Sequence, residues 1–211
     1  MPVLKIEKFD NRIKSVQALL NKNIRDLENF WGLKIKFKPI LFLLKSRNEI
    51  NSIREQKTDD ELVGWFWREK FLFILDPEKF ETESAFQKKD FQKILKHELS
   101  HFFFLQATGG TLPSWVNEGL ACYLAGQKYQ EAINKDKVKS LISCHYNFDR
   151  SLFAHSYLLV DKLIAMKGKN NFINFLKSFK KNINEKEFQI LFKKFFRIDF
   201  NKKNIYLLLT K

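Results

Sequence analysis

Two apolar rhythms alternate along the chain, and their order lays out the expected elements. Between residues 10 and 31, apolar side chains recur at Ile13, Val16, Leu19, Leu20, Ile24, Leu27 and Phe30. This is the stripe of an amphipathic helix, and Gly32 ends it. The rhythm then shifts to period two. Leu33-Lys34-Ile35-Lys36-Phe37-Lys38 alternates strictly and runs on into Ile40–Leu44, which predicts one strand bent at Pro39. Residues 47–55 predict a short helix. Residues 63–67 and Phe71–Leu75, separated by Arg68-Glu69-Lys70, predict a β-hairpin. Phe71–Leu75 is the more uniformly apolar and suits the middle of a sheet. Residues 63–67 suit an edge, whose free N–H and C=O groups can pair with an extended peptide. Gly64, Trp65 and Phe66 are therefore candidate substrate-binding residues. The competing reading is an ordinary core hairpin.

The helical rhythm returns over residues 90–106, with Phe91, Ile94, Leu95, Phe102 and Leu105 on one face and Asp90 as the expected N-cap. Along one edge of that face runs His97-Glu98-Leu99-Ser100-His101, the pattern H-E-x-x-H. Helix positions four apart stand one above the other, so His97 and His101 can present two imidazoles to a single ion. Glu98 lies one step round the same side and can reach a water that the ion activates, without itself being a ligand. Two buried histidines with satisfied hydrogen bonds are the competing reading.

Gly109-Gly110 breaks the chain and Pro113 can open the next helix, which carries Trp115-Val116-Asn117-Glu118-Gly119-Leu120-Ala121. A catalytic zinc takes three protein ligands and keeps one open position, and two His with one Glu is a known set. Glu118 can be the third ligand. It shares a helix face with Trp115, Ala121 and Cys122, where an unpaired carboxylate would be costly. A surface carboxylate is the commoner fate of a Glu. A later helix is expected over residues 151–167, ending at Gly168 and carrying His155, Ser156 and Tyr157. His145 falls in an irregular stretch and receives no role. Towards the C-terminus, Phe172, Ile173, Phe175, Leu176 and Phe179 make one apolar face. Phe188, Ile190, Leu191, Phe192, Phe195 and Phe196 make another, and residues 205–209 a last packed segment.

No Pro/Gly/Ser linker divides the chain. The expectation is one α+β unit: a small mixed sheet with an edge strand over the H-E-x-x-H helix, followed by a helical lower lobe. Residues 1–107 form the upper lobe and 108–211 the lower, with the metal cleft between.

Composition narrows the function classes. With 45% hydrophobic and 29% charged residues, 7 Gly and 4 Pro, the chain is globular rather than disordered, repetitive or collagen-like. The N-terminal segment has no apolar signal core, and no run approaches the length of a membrane span. Cys122 and Cys144 read as free thiols in a reducing cytoplasm. The net charge of +14 attracts anionic partners, but the lysines are scattered and no nucleic-acid motif accompanies them. No specific nucleic-acid partner is expected. Basic amphipathic stretches at residues 177–181 and 193–197 leave a membrane-surface role open.

His97-Glu98-Leu99-Ser100-His101 followed by Trp115-Val116-Asn117-Glu118-Gly119-Leu120-Ala121 resembles the gluzincin metallopeptidases. More narrowly, it is similar to small bacterial peptidase MA-like proteins and to the core of aminopeptidase N-type enzymes, which carry H-E-x-x-H and then W-x-x-E-G-x-A. The similarity spans about residues 63–168. It implies one zinc ion held by His97, His101 and Glu118, Glu98 as general base, and a peptide or protein substrate. The aminopeptidase G-x-M-E-N segment is absent. The resemblance also implies an oxyanion donor, a Tyr or His, from a later helix. Residues 154–160 are similar to the A-Y-x-x-S-x-x-F-V-x-Y-L stretch of MA-like proteins, but aligned on Ser156 the family's Tyr falls on Phe153. His155 and Tyr157 are the candidate replacements, with His155 slightly favoured. Two alternatives stand beside the peptidase: a zinc-binding regulatory or DNA-associated protein, and a catalytically weak gluzincin scaffold.

Overall fold

In the computed structural model, which describes residues 11–68, 70–181 and 183–211, helix α1 (Asn11–Trp31) buries Leu20, Leu27 and Trp31. Asp10, segment 1–7, the side chain of Ile13 and Glu69 of the hairpin turn lie outside the described residues. Strand β1 is Ile40–Leu44 and starts directly after Pro39. The alternating segment 33–38 is not a strand, contrary to its pattern. Side chains take its backbone groups instead. Ile35 N–H donates to Glu28 (3.2 Å), Lys36 N–H donates to Gln106 (2.8 Å), and the Gln106 amide donates to Lys34 O (2.7 Å). The neighbouring strand is in register only with Ile40–Leu44, so no ladder partner is left for the residues before it.

Helix α2 (Arg47–Arg54) is capped by the Ser46 side chain. The hairpin follows as β2 (Gly64–Trp67) and β3 (Phe71–Leu75). The sheet order is β1–β3–β2, with β3 parallel to β1 and antiparallel to β2. The most apolar strand is thus central and β2 is an edge. The Arg47 guanidinium donates to the carbonyls of Asp60, Leu62 and Glu83, fastening the segment that leads into β2.

After a short helix α3 (Phe80–Glu83), α4 spans Phe91–Thr108 and ends at Gly109 in the left-handed region. Asp90 holds the N-cap position, as expected, but its side chain makes no cap hydrogen bond to α4. The Asp90 carboxylate accepts from Gln87 N–H (3.0 Å) in the preceding 3-10 turn. The lower half is helical: α5 (Ser114–Ala125), α6 (Lys135–Ser143), α7 (Phe153–Lys167), α8 (Lys169–Lys177), α9 (Glu185–Phe196) and α10 (Lys202–Thr210). One hydrophobic cluster runs from Leu20 to Leu209. On α9 the residues four apart, Phe188, Phe192 and Phe196, are buried, while Ile190 is exposed. Two residues further round a helix is about 200° from Phe188, so Ile190 faces away from the core it was expected to join.

The architecture is mixed α+β, as the pattern indicated. Among the described residues, no helix is long and apolar enough to cross a membrane.

Candidate metal centre

Helix α4 lies under the inner face of the sheet, and α5 crosses beside it. One turn of α4 puts the His97 and His101 rings 5.0 Å apart at 81°. Their Nε2 atoms converge on one carboxylate: Glu118 Oε2 is 3.3 Å from His97 Nε2, and Glu118 Oε1 is 3.8 Å from His101 Nε2. Their Nδ1 atoms point the other way. His101 Nδ1 is 2.9 Å from Asn117 Oδ1, and His97 Nδ1 is 2.8 Å from Gln127 Oε1. An amide oxygen only accepts, so each Nδ1 carries a proton, and Nε2 is the nitrogen each ring turns toward Glu118 and can offer to an ion. The ligand-type atoms of His97, Glu98 and His101 all lie within 4.8 Å of one another, so this group could hold a metal ion.

Two carboxylates therefore stand beside the same pair of imidazoles, and their environments push them apart. Burial raises Glu98 above the ordinary carboxylate range, against the pull of His101 and His97 and with the help of Glu118. Burial also acts to raise Glu118, but His101 and His97 overcome it and hold the carboxyl below that range. Glu118 is thus the ionised partner of the imidazoles, and Glu98 is the group that keeps a proton more readily. For His97, burial acts to lower the value. The Cys122 thiol and the Glu118 carboxylate overcome it and hold the imidazole well above its ordinary range.

Helix α5 supplies most of the surroundings. Asn117 and Glu118 are neighbours on it, and Gly126 closes it in the left-handed region. That turn brings Gln127 back over α4 to His97. A Cβ on Gly119 would lie 2.5 Å from the Ser156 carbonyl oxygen, so α5 and α7 meet there with no room for a side chain. Above the histidines, the Phe66 ring stacks on His101 at 5.4 Å and 29°. A Cβ on Gly64 would lie 3.3 Å from Glu98 Cγ. The Leu75 N–H donates to Val63 O at 2.8 Å. In an antiparallel ladder bonded and non-bonded pairs alternate. Trp65 and Trp67 are therefore the residues bonded to β3, and Gly64 and Phe66 direct their backbone groups away from it. Contrary to expectation, Trp65 has its backbone groups bonded to β3 rather than free for an added strand. Its ring stacks on Phe73 at 5.1 Å, on the opposite side of the sheet from α4, because side chains alternate along a strand.

No protein-family model matches the chain, and neither a curated protein nor a solved structure does.

Of the two expected donors on α7, His155 turns away from the histidine pair. His155 is fully buried; its Nε2 accepts from Asn134 N–H (3.1 Å) and its Nδ1 faces Glu131 at 3.7 Å. Two residues from Phe153 is about 200° round the helix, so His155 looks away from the centre and anchors segment 131–134. Tyr157 shares the Phe153 face but lies one turn further on, where burial and then Asp161 raise it.

Phe153 itself meets the His97 ring at 6.1 Å, and a different tyrosine covers it. The Tyr129 ring lies parallel to Phe153, 6.4 Å away at 4°. Burial raises Tyr129, followed by the neighbouring Cys122 and then by the charge of Glu118. Asn117, Gln127 and Tyr129 were not singled out by pattern. Asn117 is adjacent to Glu118 in the motif, and Gly126 is a readable helix stop that returns the chain; Tyr129 carries no local signal. Elsewhere, His145 ties the lower half together through Ile183 O at 2.7 Å.

Proposed function

We propose that the protein is a zinc-dependent metallopeptidase that hydrolyses peptide bonds in the manner of an endopeptidase. One observation carries the reading: His97 and His101 turn their Nε2 atoms toward Glu118 while amide oxygens hold both Nδ1 protons. Metal-binding histidines are fixed in this way, their outer nitrogen tied to a carbonyl or carboxylate oxygen. The donor set of two imidazoles and one carboxylate is suited to zinc. His97, His101 and Glu118 would hold the ion. When bound, zinc would polarise the scissile carbonyl and lower the pKa of a water to about 7.

The chain's own groups supply the rest. Glu98, whose burial favours proton uptake, takes a proton as water attacks and passes it to the leaving amine. Gly64 and Phe66, at the edge of the sheet, offer outward backbone groups to an extended substrate strand. The hydroxyl of Tyr129, whose ring lies over Phe153 next to His97, is the donor to the developing oxyanion in place of Phe153.

Metal analysis and peptide-library cleavage test this together. One zinc per chain is expected in the wild type and in Glu98→Gln, with cleavage lost in the latter. Equal zinc content in His97→Ala would remove the metal reading. Full cleavage by Glu98→Gln would remove the mechanism. A second reading, a zinc-holding scaffold without turnover, is favoured by the missing hydroxyl at Phe153. Wild type that binds zinc but cleaves no peptide of the library would select it.

A further inference from the structure

The outer face of the sheet, turned away from the histidines, carries two rows of apolar side chains that cross all three strands. In the first, Phe42, Phe73 and Trp65 stack in order, at 4.9 Å and 14° and at 5.1 Å and 16°. In the second, register aligns Ile40 with Phe71 and Phe71 with Trp67. Ile40 is 42% exposed and Trp67 46%. Cations stand over these rings: Arg54 5.6 Å from the Trp65 centroid, Arg68 4.2 Å from Trp67 and Lys70 5.9 Å from Phe71. Among the described residues, none of these three cations belongs to an ion pair that the structure shows. The other end of the face is closed by packing, with Leu44, Leu75 and Ile50 of α2 buried.

We infer that this face docks on an anionic lipid surface, with the Ile40–Phe71–Trp67 row at the acyl boundary and Arg54, Arg68 and Lys70 at the lipid phosphates. A contiguous exposed apolar row marks an interaction surface, and its chemistry chooses among occupants. Single-stranded nucleic acid needs free aromatic faces on which bases stack. Here the faces of the first row are spent on each other, and Arg54 and Arg68 cover those of the tryptophans. A second copy of the chain would set like charge against like charge, three cations on each side within a net charge of +14. Anionic lipid satisfies both parts, because tryptophan and phenylalanine settle at the headgroup level and each basic residue beside them adds attraction. The inference is independent of the metal reading, since Gly64 and Phe66 face α4 and the two rows face away from it.

Vesicles of brominated phosphatidylcholine, with and without phosphatidylserine, test it on the whole chain. Sedimentation is expected with the phosphatidylserine vesicles alone. Bromine is expected to quench tryptophan emission, and this reports the outer face because Trp31 and Trp115 are each 1% exposed. Trp67→Phe should remove much of the quenching at unchanged circular dichroism. Arg68→Gln and Lys70→Gln should each weaken binding about fivefold, while Lys193→Gln with Lys194→Gln on α9 leaves it as it was. Several results overturn the inference: no binding, binding without quenching, or binding that follows the α9 pair. So do oligonucleotide binding or dimerisation that Trp67→Ala abolishes in a chain that ignores the vesicles.

Discussion

A Cβ built on Gly119 would sit 2.5 Å from the Ser156 carbonyl oxygen, so α5 and α7 touch backbone to backbone one residue from Glu118. Gly119→Ala must push the helices apart. It should cost about 1–3 kcal/mol in urea denaturation, the usual range for overpacking a core. Because Glu118 rides on α5, zinc uptake should weaken as well. Wild-type stability in Gly119→Ala would show that the crossing is looser than the structure gives it.

Asn117 and Gln127 touch the histidines only at Nδ1. Asn117→Ala and Gln127→Ala should each lower zinc affinity about 10–100-fold, the range seen when such orienting groups are removed. Their helix content should match the wild type. Competition with a chromophoric chelator measures the affinity. Unchanged affinity in both would mean that the imidazoles need no support from these two amides.

Tyr129→Phe keeps the ring stacked on Phe153 and removes only the hydroxyl. If that hydroxyl meets the oxyanion, kcat should fall about 100–1,000-fold, as for other such donors, with zinc content retained and KM little changed. Tyr157→Phe, one turn further along α7 than Phe153, should leave kcat alone. The reverse pattern would return the role to α7.

The pH dependence follows from signs. His97 and Glu98 are both raised in the folded chain. The stability that His97 contributes is complete below about 6.5, the unfolded value, and is lost as pH rises through the folded value. Glu98 acts in the same direction from about 4.3 upward. The zinc-free chain should therefore lose thermal stability as pH climbs above neutral, and zinc, which must displace the His97 proton, should bind more tightly over the same range. Glu118 is lowered, so its contribution is complete above about 4.3, the unfolded value, and is lost as pH falls through its depressed folded value. Melting curves across pH for wild type and His97→Ala check this. The slope above neutrality should flatten in the variant.

Much of the architecture was readable along the chain. The strands Ile40–Leu44 and Phe71–Leu75 and the helix around His97 follow apolar periodicity, and the central place of β3 follows from its uniform apolarity. Segment 33–38 shows the limit. Strict alternation needs a partner strand, and β3, parallel to β1, begins only at Phe71 opposite Ile40, so among the described residues no strand lies beside that segment to pair with it. Helix α6 and the loop that holds Gln127 and Tyr129 went unread because their positions depend on what they pack against. Asp90 had the right residue type for a cap, but its carboxylate served the turn before the helix.

Sequence by itself determined that His97, Glu98 and His101 share one edge of a helix, because helical period fixes the direction of side chains within a single element. It also marked Glu118 as the carboxylate in reach. Tertiary structure alone decided which nitrogen of each imidazole faces Glu118, which face of β2 looks at the histidines, and that Tyr129 covers Phe153 beside His97 while His155 turns away. Those outcomes depend on how α5, α7 and the sheet cross α4. Contacts between distant residues such as Gly119 and Ser156 set the crossings, and no local pattern encodes them.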